Sequence, residues 1–270
     1  MKKQSFIRIL IILLLCIVQL IPLYITFTVS IKPLTDMSSY WKLPSAPHLQ
    51  NFVTAFRTGN LLTAYVNTFI ITLCATLAVL VLATMAAYPL ARNPSRLNRG
   101  VRTFFLSIMM IPALSLLVPI YVLLLKLGGI SKYQGIIPVH VAFNLPLAIF
   151  MFSNFIRTIP SELDEAALID GCSVYSIFYR IIVPMLKPVI VSVIILTAVP
   201  VWNDYQYSVY FLQKPQMRVI TLAIASFFQQ TSSDPHIAAA AALLVIIPVV
   251  ILYIVLQKYF IKGMTDGAIR

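Results

Sequence analysis

Apolar residues in this chain follow neither the alternation of strands nor the narrow stripe of a soluble helix. They come in uncharged blocks long enough to span a membrane. A helix needs about 20 mostly apolar residues to cross a hydrocarbon core, and windows of that size lie at 9–31, 58–91, 103–125, 133–156 and 235–257. A sixth window, 181–203, holds one charge, Lys187, near an end where its stem can carry the ammonium to the interface. In lipid each helix satisfies its own backbone, and the ten-residue alternating segments of a transmembrane barrel do not occur. The pattern predicts an all-α membrane protein with six transmembrane helices. Pro22, Pro89, Pro112, Pro119, Pro138, Pro146, Pro200 and Pro248 fall inside these windows and predict kinks. Between the windows, 32–62 carries Trp41, Pro44 and Pro47 and reads as an irregular loop with a short helix. The uncharged piece 219–233 is too short to span and reads as re-entrant or interfacial.

Composition agrees with the pattern. Of 270 residues, 60% are hydrophobic and 10% charged, with mean hydropathy +0.93; a soluble domain carries roughly a quarter charged residues. Soluble, disordered and disulfide-stapled classes are excluded. The net charge of +12 comes from 20 Lys and Arg against 8 Asp and Glu. These cations are scattered through short loops without interleaved aromatics, so no nucleic-acid partner is expected. With the N-terminus inside, 13 basic residues fall on the cytoplasmic side and 7 outside, led by the cluster Arg92, Arg96, Arg99 and Arg102. Both termini are therefore expected inside.

Cys16, Cys74 and Cys172 have no metal-like spacing and read as buried free thiols. Leu15, before Cys16, is too bulky for a lipidation site. The apolar run after Met1-Lys2-Lys3 continues to Ile31 without a small-x-small cleavage site, which predicts an uncleaved first span. No glycine belongs to a G-x-x-x-x-G-K-[ST] phosphate cradle, and His48, His140 and His236 stand alone. The chain is expected not to be an enzyme and to bind no metal or cofactor.

Half of the acidic residues, Glu162, Asp164, Glu165 and Asp170, fall within nine positions between the fourth and fifth spans. Pro160 stops the preceding helix. Ser161 with Asp164 three residues later makes a capping-box start signal, and acids in the first turn suit a helix N-terminus. The spacing of Leu163, Ala166 and Ala167 places them on one face, where small alanines let another surface approach, opposite exposed acids. Gly171 allows a turn, and 173–182 resumes a helix toward Pro184 and Pro188. Such an element is either a capped surface helix joining two spans or a lever for a cytoplasmic partner.

Glu165-Ala166-Ala167, Asp170-Gly171, Phe178, Ile181 and Val183-Pro184 together resemble the EAA loop of permease subunits in binding-protein-dependent ABC importers. The family spacing is kept throughout, with Val183 where Leu is usual. Trp202-Asn203-Asp204-Tyr205 looks like a segment of the carbohydrate-importer branch. The ending from Tyr259 to Arg270 is similar to the tail of the smaller six-span partner in maltose-type and multiple-sugar importers. The resemblance implies a type I importer permease fold, divided into a first span with its outer loop (1–62), a core of five spans (63–260) carrying the loop 160–188, and a cytoplasmic tail (261–270). It implies that Glu165, Ala166, Ala167, Asp170, Gly171 and Pro184 belong to a coupling helix docked on an ATPase subunit, and that Gly263 through Arg270 touch the ATPase dimer. The loop 204–234 would reach an extracytoplasmic solute-binding protein. The implied partners are a second homologous permease, two ATP-binding subunits that hold ATP and Mg, the solute-binding protein, membrane lipid and a sugar. The implied location is the bacterial inner membrane.

His140 and Asn144 share one helix face in the fourth span, where polar groups either line a substrate path or bond to another helix; the second is the commoner role. Asn67, Gln19 and Asn154 read the same way. Trp202 is either a belt anchor or a sugar-stacking ring, and Asn203 adjoins it. Two rivals stay open. A polyamine or other polar-solute importer carries a similar loop and is separated by a panel of labelled solutes. An ion-coupled secondary transporter would need a carboxylate deep in a span, and none is present.

Overall fold

The structure, a computed structural model, describes the backbone of residues 2–230 and 234–268 and the side chains of 8–228, 234–251, 253 and 254. Every regular element among the described residues is helical. In chain order these are α1 (Lys2–Ser30), α2 (Gln50–Thr58), α3 (Leu61–Arg92), α4 (Arg96–Ile108), α5 (Leu117–Lys126), α6 (Tyr133–Thr158), α7 (Glu162–Ile169), α8 (Val174–Ile177), α9 (Val183–Met185), α10 (Lys187–Trp202), α11 (Ser208–Phe211), α12 (Ile220–Gln230) and α13 (Pro235–Ala268). The chain divides into two compact units, 1–64 with 220–250 and 65–219 with 251–270.

In the first unit α1 is apolar all round and exposed along most of its length, from Ile9 to Leu20. That is the surface of a helix whose solvent is lipid rather than a protein core. Its C-terminal end is buried: Asn51 on α2 donates to the carbonyls of Ser30 and Lys32 at 2.9 and 2.8 Å. The Lys32 side chain is fully buried, its ammonium donating to the Ser38 hydroxyl (2.7 Å) and the Ser39 carbonyl (2.9 Å). The Ser38 hydroxyl, and after it the Ser38 N–H, hold the Asp36 carboxyl below its ordinary range. His236, at the start of α13, meets the Val29 carbonyl at 2.9 Å. Within the uncharged piece 219–233, Ile220–Gln230 form the short helix α12.

The core of the second unit is a stripe of small residues on α3, Val79, Ala83 and Ala87, packed in one cluster with Ile149, Phe152 and Ile156 of α6 and Val189 and Val193 of α10. Small side chains every four residues let helices approach closely without a hydrophobic drive from water. Two of the expected spans are broken, one of them at Pro112, where a kink is predicted. Helices 96–108 and 113–126 meet at 95°, and 174–185 and 187–202 at 74°. Pro112 explains the first, because its ring keeps Ile111 out of the helical region. Pro184 and Pro188 explain the second: each removes an N–H from the ladder, the helix widens over Phe178–Ile182, and it turns at Leu186.

By length and composition three stretches, Arg8–Ser30, Leu61–Arg92 and Tyr133–Thr158, can each cross a membrane, and five can if each bent pair counts as one. The expectation of buried cysteines is corrected. Cys16 and Cys74 are exposed and Cys172 is half-buried, because an apolar run in such a chain faces lipid as readily as core.

Candidate functional site

The chain leaves α6 through Ile159, whose extended backbone (φ −80°, ψ 125°) is what the following Pro160 requires. The capping box expected at Ser161 does not form. Ser161 is itself helical (φ −70°, ψ −21°) and its hydroxyl caps nothing, since a capping side chain needs an extended backbone. The Ser161 carbonyl instead accepts from the Asp164 and Glu165 N–H groups at 2.9 and 3.1 Å.

Asp164 is drawn to a different partner. It is only 9% exposed, contrary to the expectation of solvated acids along α7. Its Oδ2 accepts from Arg92 Nε at 2.9 Å and from the Tyr88 hydroxyl at 3.0 Å, and its Oδ1 from Arg92 Nη2 at 3.3 Å. The same guanidinium donates through Nη1 to the carbonyls of Ile156 (3.2 Å) and Ile159 (2.8 Å), and through Nη2 to Pro160 (3.4 Å). The last turn of a helix leaves carbonyls unpaired, and a planar cation with five donors meets them and a carboxylate together. Arg157 adds a bond to the Leu90 carbonyl at 3.3 Å, and the Tyr88 ring packs on Phe178, centroids 5.5 Å apart.

The far end of α7 closes as the sequence predicts. Gly171 takes φ +81°, with its N–H on Leu168 and the Cys172 N–H on Ala167, a Schellman turn that L side chains resist. Ser173 then caps α8 by accepting from Ser176 at 3.3 Å. Leu163, Ala166 and Ala167 do not share one face as expected. Ala167 enters the core with Asp164, while Glu162, Leu163, Glu165, Ala166, Leu168, Ile169 and Asp170 are exposed, Ile169 at 87%. The buried carboxylate rotates the helix so that this pair, three residues apart, faces inward. Pro184 lies exposed in the one-turn α9. Cavities of about 220 and 510 Å³, both lined by Met85, Phe178 and Tyr179, run beside this loop.

The second group of expected residues meets only in part. His140 is 3% exposed, with Nε2 3.7 Å from Asp204 Oδ2 and that nitrogen without a hydrogen-bond partner among the described residues. Asn144 bonds back to the His140 carbonyl at 2.8 Å rather than across to another helix. Trp202 Nε1 is buried and also has no hydrogen-bond partner among the described residues, and Asn203 is exposed, donating to Val199 at 3.0 Å. Asp204 caps α11, accepting from Tyr207 N–H and from both the N–H and hydroxyl of Ser208. Burial, and then the Asp204 carboxylate, push the Tyr207 phenol above its ordinary value. Asn67 bonds to the Gln216 and Arg218 carbonyls and accepts from Tyr133 at 2.6 Å, and Asn154 accepts from Arg102 at 3.1 Å. Both are interelement ties. No cluster of metal-ligating side chains occurs among the described residues.

Residues 79–266 match the family described as the inner membrane component of binding-protein-dependent transport systems. The chain belongs to that family. It is similar to the melibiose/raffinose/stachyose import permease MelC of Bacillus subtilis (strain 168), 39% identical over 93% of this chain and 91% of that one. It is similar also to the trehalose transport permease SugB of Mycobacterium tuberculosis, at 30% identity over 93% and 92%. Among solved structures, a chain of a bacterial ABC transporter involved in importing the acidic polysaccharide alginate superposes with TM-score 0.81 at 22% identity, covering 96% of this chain and 98% of that one. The family fold is thus the type I permease fold.

What sequence reasoning missed in this permease is Arg92. It entered only as one of the basic residues that orient the chain, because it lies 72 positions from Asp164 and no local spacing joins them. The one available signal is an arginine ending an apolar span.

Proposed function

We propose that this chain is one of two homologous permease subunits of an ATP-driven importer that carries a sugar, oligosaccharide or sugar derivative into the cell by alternating access. Six spans are counted by taking α1, α3, α6 and α13 singly and each bent pair as one, with both termini in the cytoplasm of a bacterial cell. ATP and Mg belong to two partner ATPase subunits. A solute-binding protein delivers substrate from outside; one related structure is a transporter in complex with its oligosaccharide-bound periplasmic protein.

The observation that carries this reading is α7. A family member presents there a short helix with Glu162, Glu165 and Asp170 beside exposed Leu168 and Ile169, shut by a left-handed glycine. An exposed apolar strip rimmed by acids is a docking face rather than a solvated loop. ATP binding closes the ATPase pair, α7 moves with the groove that grips it, and the helices open outward. The two states exchange because each ligand favours one of them.

The test is uptake in cells carrying Glu165→Lys or Gly171→Asp. Both are expected to insert normally and to abolish accumulation of labelled sugar. Accumulation at the wild-type rate in either removes the docking role of α7, and a labelled polyamine taken up in place of sugar reassigns the substrate. The tail, 263–270, is proposed to touch the ATPase dimer, although its side chains lie outside the described residues.

A further inference from the structure

We propose that Arg92 and Asp164 are positioning residues for transport, forming the joint through which movement of α7 is passed to α3 and α6; the proposal rests on the docking of α7 on an ATPase. Between α6 and α7 lie only Ile159, Pro160 and Ser161, and Ile159 is extended. A push on α7 carried by that link alone would bend it, because no helical ladder continues through it. Arg92 bridges the break. It is the last residue of α3, it grips Asp164 on α7 with two nitrogens, and it holds the carbonyls of Ile156, Ile159 and Pro160 at the end of α6. One rigid planar group therefore ties three elements. Tyr88, one turn earlier on α3, adds a second attachment to the same carboxylate, and Ala167 seats the next turn of α7 in the core. Packed elements joined this way move together or break the joint, which is how coupling is carried between distant sites.

The test uses the whole transporter, with its ATPases and binding protein, in proteoliposomes. Sugar accumulated per ATP hydrolysed is measured for wild type, Arg92→Lys and Tyr88→Phe, each also carrying Ser161→Cys, at an exposed hydroxyl beside α7 that caps nothing, for crosslinking to the ATPase. Lysine keeps the charge but cannot reach the carboxylate and three carbonyls together. The expected result is an intact crosslink, continued ATP hydrolysis, and a fall in sugar per ATP of about tenfold for Arg92→Lys and about twofold for Tyr88→Phe. A merely structural role would lower assembly and leave that ratio alone. An unchanged ratio in Arg92→Lys with the crosslink intact overturns the joint and spares the docking role. Absence of the crosslink in the otherwise wild-type complex overturns both. If Arg92→Lys does not assemble, Tyr88→Phe decides: a lowered ratio supports the joint and an unchanged one overturns it.

Discussion

The two ends of α6 treat buried polar groups in opposite ways. At its C-terminal end every donor of the Arg92 guanidinium group has an acceptor in reach, and the Asp164 carboxylate accepts from two side chains. Toward its N-terminal end His140 lies deeper still, yet Nε2 stops 3.7 Å from Asp204 and has no hydrogen-bond partner among the described residues. A satisfied buried network resists displacement, whereas an unsatisfied nitrogen leaves its surroundings free to rearrange at little cost. One end is tied by a satisfied network and the other is not.

The sharpest way to break this contrast is Arg92→Ala. It strands a buried carboxylate and three helix-end carbonyls, with an expected loss of about 3 kcal/mol, the low end for a broken buried pair because both partners keep some exposure. Denaturation of the purified complex measures it, and a loss under about 1 kcal/mol would make the C-terminal end no firmer than a surface pair. Next comes Gly135→Ala, in the first turn of α6. A Cβ there would overlap the Gly129 carbonyl oxygen, which is backbone and cannot step aside. A cost of about 2–3 kcal/mol is expected, read from the melting temperature. If alanine proves neutral, the N-terminal end is looser than its packing indicates.

Gly171→Ala follows. At φ +81° a side chain costs about 1–2 kcal/mol even though a Cβ would meet open space there, so the strain is purely conformational. Gly100→Ala, inside α4 with nothing near its Cβ, is the control and should stabilise by about 0.5–1 kcal/mol. The smallest effect is expected from His140→Leu. Because Nε2 holds no hydrogen bond, stability should change by less than about 1 kcal/mol. A loss of several kcal/mol would show a charged His140–Asp204 pair that holds the N-terminal end as firmly as Arg92 holds the other. Sugar uptake measured on the same variant separates a substrate-path role from an inert one.

Elements set by neighbours in the chain were legible in advance. Pro160 ends α6, Gly171 makes a turn, a helix resumes after it, and the apolar windows become helices. Each of these rests on sterics or hydrogen bonds reaching no further than five residues. Where local signals failed, the folded context decided: Ser161 took a helical backbone that cannot cap, the Asp164 side chain went to Arg92, and that turn placed Ala167 inward and Ala166 outward. The bends at Pro112 and Leu186 were half visible, since proline announces a break without stating its angle.

Hydropathy and motif spacing were sufficient for membership in a helical membrane family, because lipid imposes a length and a polarity on every span and these are written residue by residue. They were sufficient also for locating the loop proposed to meet a partner. Which way α7 faces, which acid is buried, and which cation serves two helices at once required the folded chain. The physical reason is the range of the forces involved. Backbone sterics act between adjacent residues, whereas the interaction of Arg92 with Asp164 exists only after α3 and α6 have packed, and their packing brings together positions that no periodicity connects.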